Sequence, residues 1–291
     1  MSGPKARTGI AARYLGYWGL SFPPFGPDWA PNRFFQTATA EETLARVEFA
    51  VTRGYGAVLI SGPAGVGKSW FLQWMIDQWR SPQALGIYLS ALGRSREVWL
   101  EELAVQLGVT QPPSAPARLW RVISQHILAT CLSDQPCVLA VDDASSAEPA
   151  LLPMFWALAQ MTARGRHPTL VLAGRGENHL LGRGPFADWI DLRIPLEPWS
   201  EEDVIGFLCC QLQNAGRNPD DVFTKAAMEA VARLAEGIPR HVNRLAEWCL
   251  VAAAGANIRP IDGELVEEVY DEFYRHLDSE WETTKSVTAA P

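Results

Sequence analysis

The residues whose types and spacing most clearly indicate chemistry form one short stretch, Gly62-Pro63-Ala64-Gly65-Val66-Gly67-Lys68-Ser69. It satisfies the pattern G-x-x-x-x-G-K-[ST], in which glycines let successive backbone N–H groups point inward at phosphate oxygens. We expect Lys68 to neutralise the β- and γ-phosphates of a nucleotide and the Ser69 hydroxyl to ligate Mg²⁺. A helix that starts here adds its dipole to the attraction for phosphate. The stretch therefore predicts a site for ATP and Mg²⁺.

A second metal-organising group is expected on a neighbouring strand. The apolar run from Val138 to Val141 ends in Asp142, whose carboxylate would hold Mg²⁺ directly or through water. Asp143 follows at the position where hydrolysing enzymes of this layout usually have a glutamate that polarises the attacking water. Aspartate is one methylene shorter, so two roles stay open for Asp143: catalytic base or helix N-cap.

The elements that must position these residues alternate along the first two thirds of the chain. Short apolar runs read as buried strands, and amphipathic segments between them read as helices. Such alternation predicts an α/β fold with a parallel five-stranded sheet covered by helices on both faces. The expected strands are Ala57–Ile60, Leu85–Leu89, Cys137–Val141, Thr169–Ala173 and Asp191–Leu196, and the expected helices include Lys68–Trp79, Arg96–Leu107, Leu119–Leu132 and Leu151–Thr162.

Helix signals continue after Pro198 and strand signals stop, which predicts a small all-α domain. Its helices are expected over Val204–Ala215, Asp221–Ala235, His241–Ala254 and Leu265–Leu277. Thr39 with Glu42, and Ser200 with Asp203, are predicted to form capping boxes. We divide the chain into an irregular arm rich in aromatics and proline (1–36), a P-loop core (37–197), a helical lid (198–280) and a disordered tail (281–291).

Composition narrows the class of protein. The 291 residues carry 25 Lys and Arg against 33 Asp and Glu, a net charge of −8, with 48% hydrophobic residues. This balance excludes disorder over most of the chain, and the acidic total argues against indiscriminate coating of nucleic acid. The longest uncharged stretch, residues 149–163, is too short to span a bilayer. We therefore expect a cytoplasmic protein without a membrane span.

Several further motifs resemble the ExeA/GspA-type AAA+ ATPases, a branch that also contains the transposition regulators of TniB and TnsC type. The resemblance covers about residues 14 to 255 and is limited to the AAA+ module of these proteins. It rests on the order of the phosphate loop and of these motifs: Tyr14-x-x-Tyr17-Trp18-Gly19-Leu20-Ser21-Phe22-Pro23-Pro24-Phe25, Arg33-Phe34-Phe35, Val171-Leu172-Ala173-Gly174, Leu196-Glu197-Pro198-Trp199-Ser200-Glu201-Glu202 and Gly237-Ile238-Pro239-Arg240-His241-Val242-Asn243-Arg244-Leu245.

The resemblance implies a P-loop (RecA-like) core, a helical lid, ATP at their junction with the aromatic arm near the adenine, and assembly into rings or filaments. It makes Arg240 the lid arginine that reaches the γ-phosphate, for which the planar guanidinium is suited. A solvated or ion-paired surface arginine is the alternative.

Departures from the family pattern bear on hydrolysis. Arg175 stands where the family usually has glutamine; it could act as a sensor of the γ-phosphate or cap a sheet edge. Trp189 stands where the family has an arginine finger, a contact that can be worth roughly 10³–10⁵ in rate. Arg183 or Arg193 could substitute, although Arg193 already matches a different family position.

Three functions remain open from the sequence. The first is an ATPase that binds Mg·ATP, oligomerises, and uses slow hydrolysis to remodel or switch an unidentified protein partner. The second is a hydrolysis-poor scaffold or DNA-binding regulator in which nucleotide occupancy is the signal. The third is a signalling switch of the STAND class, suggested by Gly237-Ile238-Pro239. DNA is a possible partner but is not favoured. The arginines that could contact it also fit a solvated face or a subunit interface. They are Arg164, Arg166, Arg175, Arg183 and Arg193.

Overall fold

The structure is a computed structural model that describes residues 10–26, 34–175 and 188–272. The expectations for Arg183 and for a tail over 281–291 lie outside these ranges. Contacts between residues divide the chain into two units. One unit is Trp29–Glu197; the other combines Met1–Asp28 with Pro198–Pro291.

The unit Trp29–Glu197 contains a parallel sheet of five strands among its described residues. The strands are β1 Ala57–Ser61, β2 Leu85–Ser90, β3 Cys137–Asp142, β4 Thr169–Gly174 and β5 Leu192–Pro195. They run in the spatial order β2-β3-β4-β1-β5. Because all neighbouring pairs are parallel, the carboxyl ends of the strands meet at one edge of the sheet.

Helices cover both faces of this sheet and create two apolar cores. The helices are α2 Ala38–Arg53, α3 Lys68–Trp79, α4 Arg96–Gln106, α5 Pro116–Leu132 and α6 Leu152–Ala159. One core packs alternate strand residues such as Val58 and Ala140 against α2 and α3; the other packs Leu59 and Leu139 against α4, α5 and α6. The predicted α/β class is thereby confirmed, and the unbroken apolar strands have their cause in burial on both faces.

The other unit is built from helices. Its described helices are α1 Ile10–Trp18, α7 Glu201–Asn214, α8 Lys225–Leu234, α9 Pro239–Ala256 and a last helix that is described over 263–272. Trp18 is 2% exposed, and its indole N–H donates to the carbonyl of Leu250 on α9 at 2.9 Å. Tyr14, one turn earlier, donates its hydroxyl to the Glu247 carboxylate at 2.5 Å. The predicted all-α domain is thereby confirmed, and Tyr14 and Trp18 of the arm pack within it.

Two local expectations were wrong. Residues 10–18 are helical and not irregular, because Tyr14 and Trp18 are four residues apart and share the face that packs on α9. The cap of α2 is Thr37, whose hydroxyl accepts from the Ala40 N–H at 3.2 Å, and not Thr39. The capping box of Ser200 and Asp203 is confirmed.

Smaller differences concern helix ends. α6 ends at Ala159 and not at Thr162, and the segment expected to start α8 at Asp221 is a 3₁₀ turn that precedes a helix from Lys225. α5 begins earlier than expected, at Pro116, where a proline in the first turn costs no hydrogen bond. Among the described helices, none combines the length and the apolar character that crossing a bilayer requires.

Candidate nucleotide-binding site

The phosphate loop connects the carboxyl end of β1 to the first residue of α3. Gly65 and Gly67 have φ of 87° and 102°, values that residues with a side chain rarely adopt, so the loop needs glycine at both positions. Val66 is 3% exposed and joins the core beneath α3, which anchors the loop. The strand, loop and helix therefore follow one another as the sequence predicted.

Lys68 is the first residue of α3, and its ammonium group lies over the loop. The Nζ atom donates to the carbonyls of Gly62 and Pro63, at 2.8 Å each. Ser69 follows at the second position of the helix and is half-buried. The ammonium and the first N–H groups of this 12-residue helix can donate hydrogen bonds to phosphate oxygens. The Ser69 hydroxyl oxygen can ligate Mg²⁺.

Asp142 ends β3 and is almost fully buried, at 4% exposed. Along β3 the side chains alternate, so Asp142 shares the face of Val138 and Ala140, the face that packs on α3. Both of its oxygens accept hydrogen bonds: Oδ1 from the Asp143 N–H at 2.9 Å and Oδ2 from the Tyr88 hydroxyl at 2.9 Å. Burial, followed by the nearby Asp142 carboxylate, raises the pKa of Tyr88 well above its ordinary value, so the hydroxyl keeps its proton.

Asp143 adopts a left-handed backbone conformation, with φ of 51° and ψ of 29°. It occupies the N-cap position of a 3₁₀ turn, Ala144–Ser146, but its side chain makes no capping hydrogen bond. The N-cap alternative for this carboxylate therefore loses support, and the role of catalytic base stays a prediction.

Arg175 follows β4 at the same edge of the sheet, and its side chain is exposed. Its N–H donates at 3.1 Å to the hydroxyl of Ser145, which lies in the turn after Asp142. β4 is an interior strand, so the lateral edges of the sheet belong to β2 and β5 and not to Arg175. Its role as a sensor stays a prediction.

Two of the motifs behind the family resemblance contact each other in the helical unit. The Trp199 N–H donates to the Gly237 carbonyl at 2.8 Å, and a Cβ at Gly237 would lie 2.1 Å from the Trp199 carbonyl. This contact fixes the turn before α9. Pro239 and the exposed Arg240 are the first two residues of that helix. The expected reach of Arg240 to a γ-phosphate stays a prediction.

The residue at the expected finger position is part of the core. Trp189 is 9% exposed and belongs to the cluster that contains Trp99 and Phe155. Arg193 lies exposed on the edge strand β5. Among the described arginines of the basic run, Arg166 contacts the Asp134 carboxylate, which favours the reading of a solvated face over a strip for DNA.

Sequence reasoning missed three polar residues around Asp142: Tyr88, Gln73 and Ser145. Tyr88 places a phenol in the mostly apolar strand β2, and this is a signal that the sequence does contain. Its contact with Asp142, 54 residues away, needs the pairing of β2 with β3, which the sequence does not reveal.

Comparisons with known proteins agree with this geometry. A family model described as an AAA domain matches residues 51–180. General secretion pathway protein A of Aeromonas hydrophila is 26% identical over 284 residues, which cover 95% of this chain and 52% of that protein. The chain thus spans about half the length of this curated relative.

Two archaeal structures share the fold. Cdc6p of Pyrobaculum aerophilum is similar with a TM-score of 0.66 and 18% identity, covering 86% of this chain and 70% of that one. The ORC2 protein of Aeropyrum pernix gives a TM-score of 0.65 and 13% identity, covering 86% and 71%. Residues 51–180 therefore match an AAA domain, and the resemblance to the ExeA/GspA-type ATPases is confirmed.

Proposed function

We propose that the chain is an ATPase module that binds Mg·ATP, assembles with copies of itself, and uses slow hydrolysis to switch or remodel a protein partner in the cytoplasm. The observation that carries the proposal is the meeting of two groups at one sheet edge. Lys68 and Ser69 begin α3 there, and Asp142 ends β3 on the face that α3 covers.

The binding step follows from the donors in the loop. The N–H groups at the start of α3 and the Lys68 ammonium would bind the β- and γ-phosphates, with Lys68 exchanging its two carbonyl partners for phosphate oxygens. Ser69 and Asp142 would hold Mg²⁺, which supplies neutralisation of phosphate charge when it is bound. Because a hydroxyl and a carboxylate are ligands that Mg²⁺ prefers, the residues present fit this cation.

The hydrolytic step would depend on Asp143. Its carboxylate would orient a water molecule and accept its proton, one residue beyond the residue that serves the metal. The Asp143 side chain is one methylene shorter than the usual glutamate, and position 189 lacks the usual arginine. Both differences support hydrolysis that is slower than in ATPases that have the glutamate and the arginine.

A second candidate is favoured by the burial of Trp189. At 9% exposed and packed in the core, this residue leaves no group at the finger position that could reach a neighbouring subunit. The chain would then be a scaffold or a DNA-binding regulator in which nucleotide occupancy, and not hydrolysis, is the signal.

One experiment separates the two candidates. Phosphate release per subunit is measured across a range of protein concentrations, with Lys68→Ala as the blank, and ATP binding is measured in parallel. Turnover that rises with concentration above the blank supports an ATPase with a site completed by a second subunit. Turnover at the level of the blank, with ATP bound more tightly than by Lys68→Ala, supports the scaffold. Equal ATP affinity of the wild type and Lys68→Ala would refute the site.

The regulator reading has its own test. Retention of DNA by the wild type is measured with and without ATP while the salt concentration is raised. DNA binding that needs ATP and weakens steeply with salt would support this reading, because phosphate contacts release counterions. No ATP-dependent retention at low salt would exclude DNA as the partner.

A further inference from the structure

Asp142 receives a side-chain hydrogen bond that the phosphate-loop pattern does not contain. The Tyr88 hydroxyl donates to its Oδ2 atom at 2.9 Å. The two residues lie on adjacent parallel strands, with Tyr88 in register with Ala140 and Ser90 in register with Asp142. Tyr88 and Asp142 are therefore diagonal neighbours on one face of the sheet, the face that α3 covers.

The two hydrogen bonds fix the orientation of the carboxylate. Oδ1 is held by the Asp143 N–H and Oδ2 by Tyr88, and the group is 4% exposed. A carboxylate accepts about four hydrogen bonds, so each oxygen keeps one lone-pair direction for a metal ion or its water. Without the phenol, the Asp143 N–H would be the remaining hydrogen-bond donor to this carboxylate among the described residues.

Tyr88 is itself held by the helix that starts at the phosphate loop. The side-chain amide of Gln73 donates to the Tyr88 hydroxyl oxygen at 3.4 Å. Gln73 is four residues after Ser69, so both lie on the same face of α3. The phenol therefore connects the face of α3 that carries one expected Mg²⁺ ligand to the carboxylate that is the other.

We propose that Tyr88 is a positioning residue for the metal site: it aims the Asp142 carboxylate at Mg²⁺ and sets how tightly the bound nucleotide retains the cation. The inference rests on the proposed function, because it requires Asp142 to serve Mg²⁺. Groups that orient a metal ligand through a hydrogen bond typically change metal affinity by about 10–100-fold when they are removed. Loss of one neutral donor from a carboxylate that keeps its backbone donor belongs at the lower end of that range.

The test compares Tyr88→Phe with Tyr55→Phe, a matched control. Tyr55 lies just before β1, at the opposite end of that strand from the phosphate loop. Mn²⁺ serves as the probe in place of Mg²⁺, and its binding to the protein with ATP is followed by electron paramagnetic resonance. A fluorescent ATP analogue reports nucleotide affinity in excess EDTA.

Tyr88→Phe is expected to need about tenfold more Mn²⁺ for half-saturation, with nucleotide affinity in EDTA unchanged within about twofold. Tyr55→Phe is expected to match the wild type in both measurements. Gln73→Met, which keeps the side-chain length and removes the donor, should fall between the wild type and Tyr88→Phe, and it carries the test if Tyr88→Phe does not fold.

Equal Mn²⁺ requirements for the wild type and Tyr88→Phe would overturn the inference. So would an equal loss of nucleotide affinity with and without metal, because that pattern indicates general damage to the site. Failure of the proposed function looks different: the wild type would then bind the ATP analogue no more tightly than Lys68→Ala.

Discussion

Replacing Gly62 by alanine would place a methyl group where the phosphate loop leaves β1 and meets the end of β5. The added Cβ would lie 2.5 Å from the carbonyl oxygen of Leu196 and 3.1 Å from a methyl group of Val66. The first of these partners is backbone, so it cannot turn aside as a flexible side chain could. Either the end of β5 or the loop must move.

The distances give the size of the effect. The Leu196 oxygen would have to retreat by about 0.9 Å, from 2.5 Å to the 3.4 Å at which such contacts become ordinary. The Leu196 N–H donates to the Ser61 carbonyl at 2.7 Å, and a similar displacement would break this hydrogen bond. Overpacking costs about 1–3 kcal/mol and the lost bond about 1 kcal/mol, which together predict about 2–4 kcal/mol.

Two measurements and one control test this prediction. Thermal unfolding of Gly62→Ala should occur roughly 5–15 °C below the wild type if the strand moves. If the loop moves instead, ATP affinity should fall by about tenfold, equivalent to one misplaced donor. Gly255→Ala is the control, because a Cβ at this helical position meets nothing within 4 Å and should leave both measurements unchanged or raise stability slightly.

The reasoning would be refuted by a Gly62→Ala variant that keeps both wild-type stability and wild-type ATP affinity. That result would mean that the end of β5 adapts at no cost. The close approach of the two backbones would then have no part in shaping the phosphate loop.

Three further predictions concern the buried polar groups and the hydrolytic residues. Burial raises the pKa of Glu247 above its ordinary 4.5, so the folded protein binds the carboxyl proton more tightly than the unfolded chain does. The stability that this proton contributes is lost as the pH rises from about 4.5 through the folded pKa. Tyr14→Phe removes the hydrogen bond that lowers this pKa, so it should cost about 1 kcal/mol at pH 8 and little at pH 4 in urea titrations; equal costs would contradict the linkage. Trp189→Arg buries an unpaired charge and should destabilise the chain by about 3–5 kcal/mol without raising turnover, whereas a stable, faster variant would show that the position is open to solvent. Asp143→Asn should lower phosphate release by about 10²–10⁴-fold with ATP binding retained; unchanged turnover would remove Asp143 from catalysis.

The sequence predicts the strands well because their signal is local. Each of the five expected strands agrees with the structure to within about one residue at either end. In the interior strands β1, β3 and β4, the unbroken apolar runs reflect burial on both faces of the sheet. The phosphate loop, Lys68 and Ser69 follow from the same kind of local pattern. The position of β1 between β4 and β5 does not, because strand order depends on contacts between distant segments.

The missed features of the site share this non-local origin. The hydrogen bond from Tyr88 to Asp142 and the burial of Trp189 both depend on which elements become neighbours. The wrong cap of α2 has a different cause. Thr37 and Thr39 are both good caps, and only the extended backbone of Thr37, with φ of −95° and ψ of 160°, distinguishes them.

The packing of α1 on α9 also constrains the order in which the chain can fold during synthesis. The carbonyl of Leu250, which accepts from the Trp18 indole, is synthesised 232 residues after Trp18. At roughly 5–20 residues per second, about 10–50 seconds separate the synthesis of Trp18 from that of its acceptor on α9. During that interval Tyr14, Trp18 and Phe25 lack the later helices that bury them in the folded unit, so their apolar surface is available to chaperones or to aggregation.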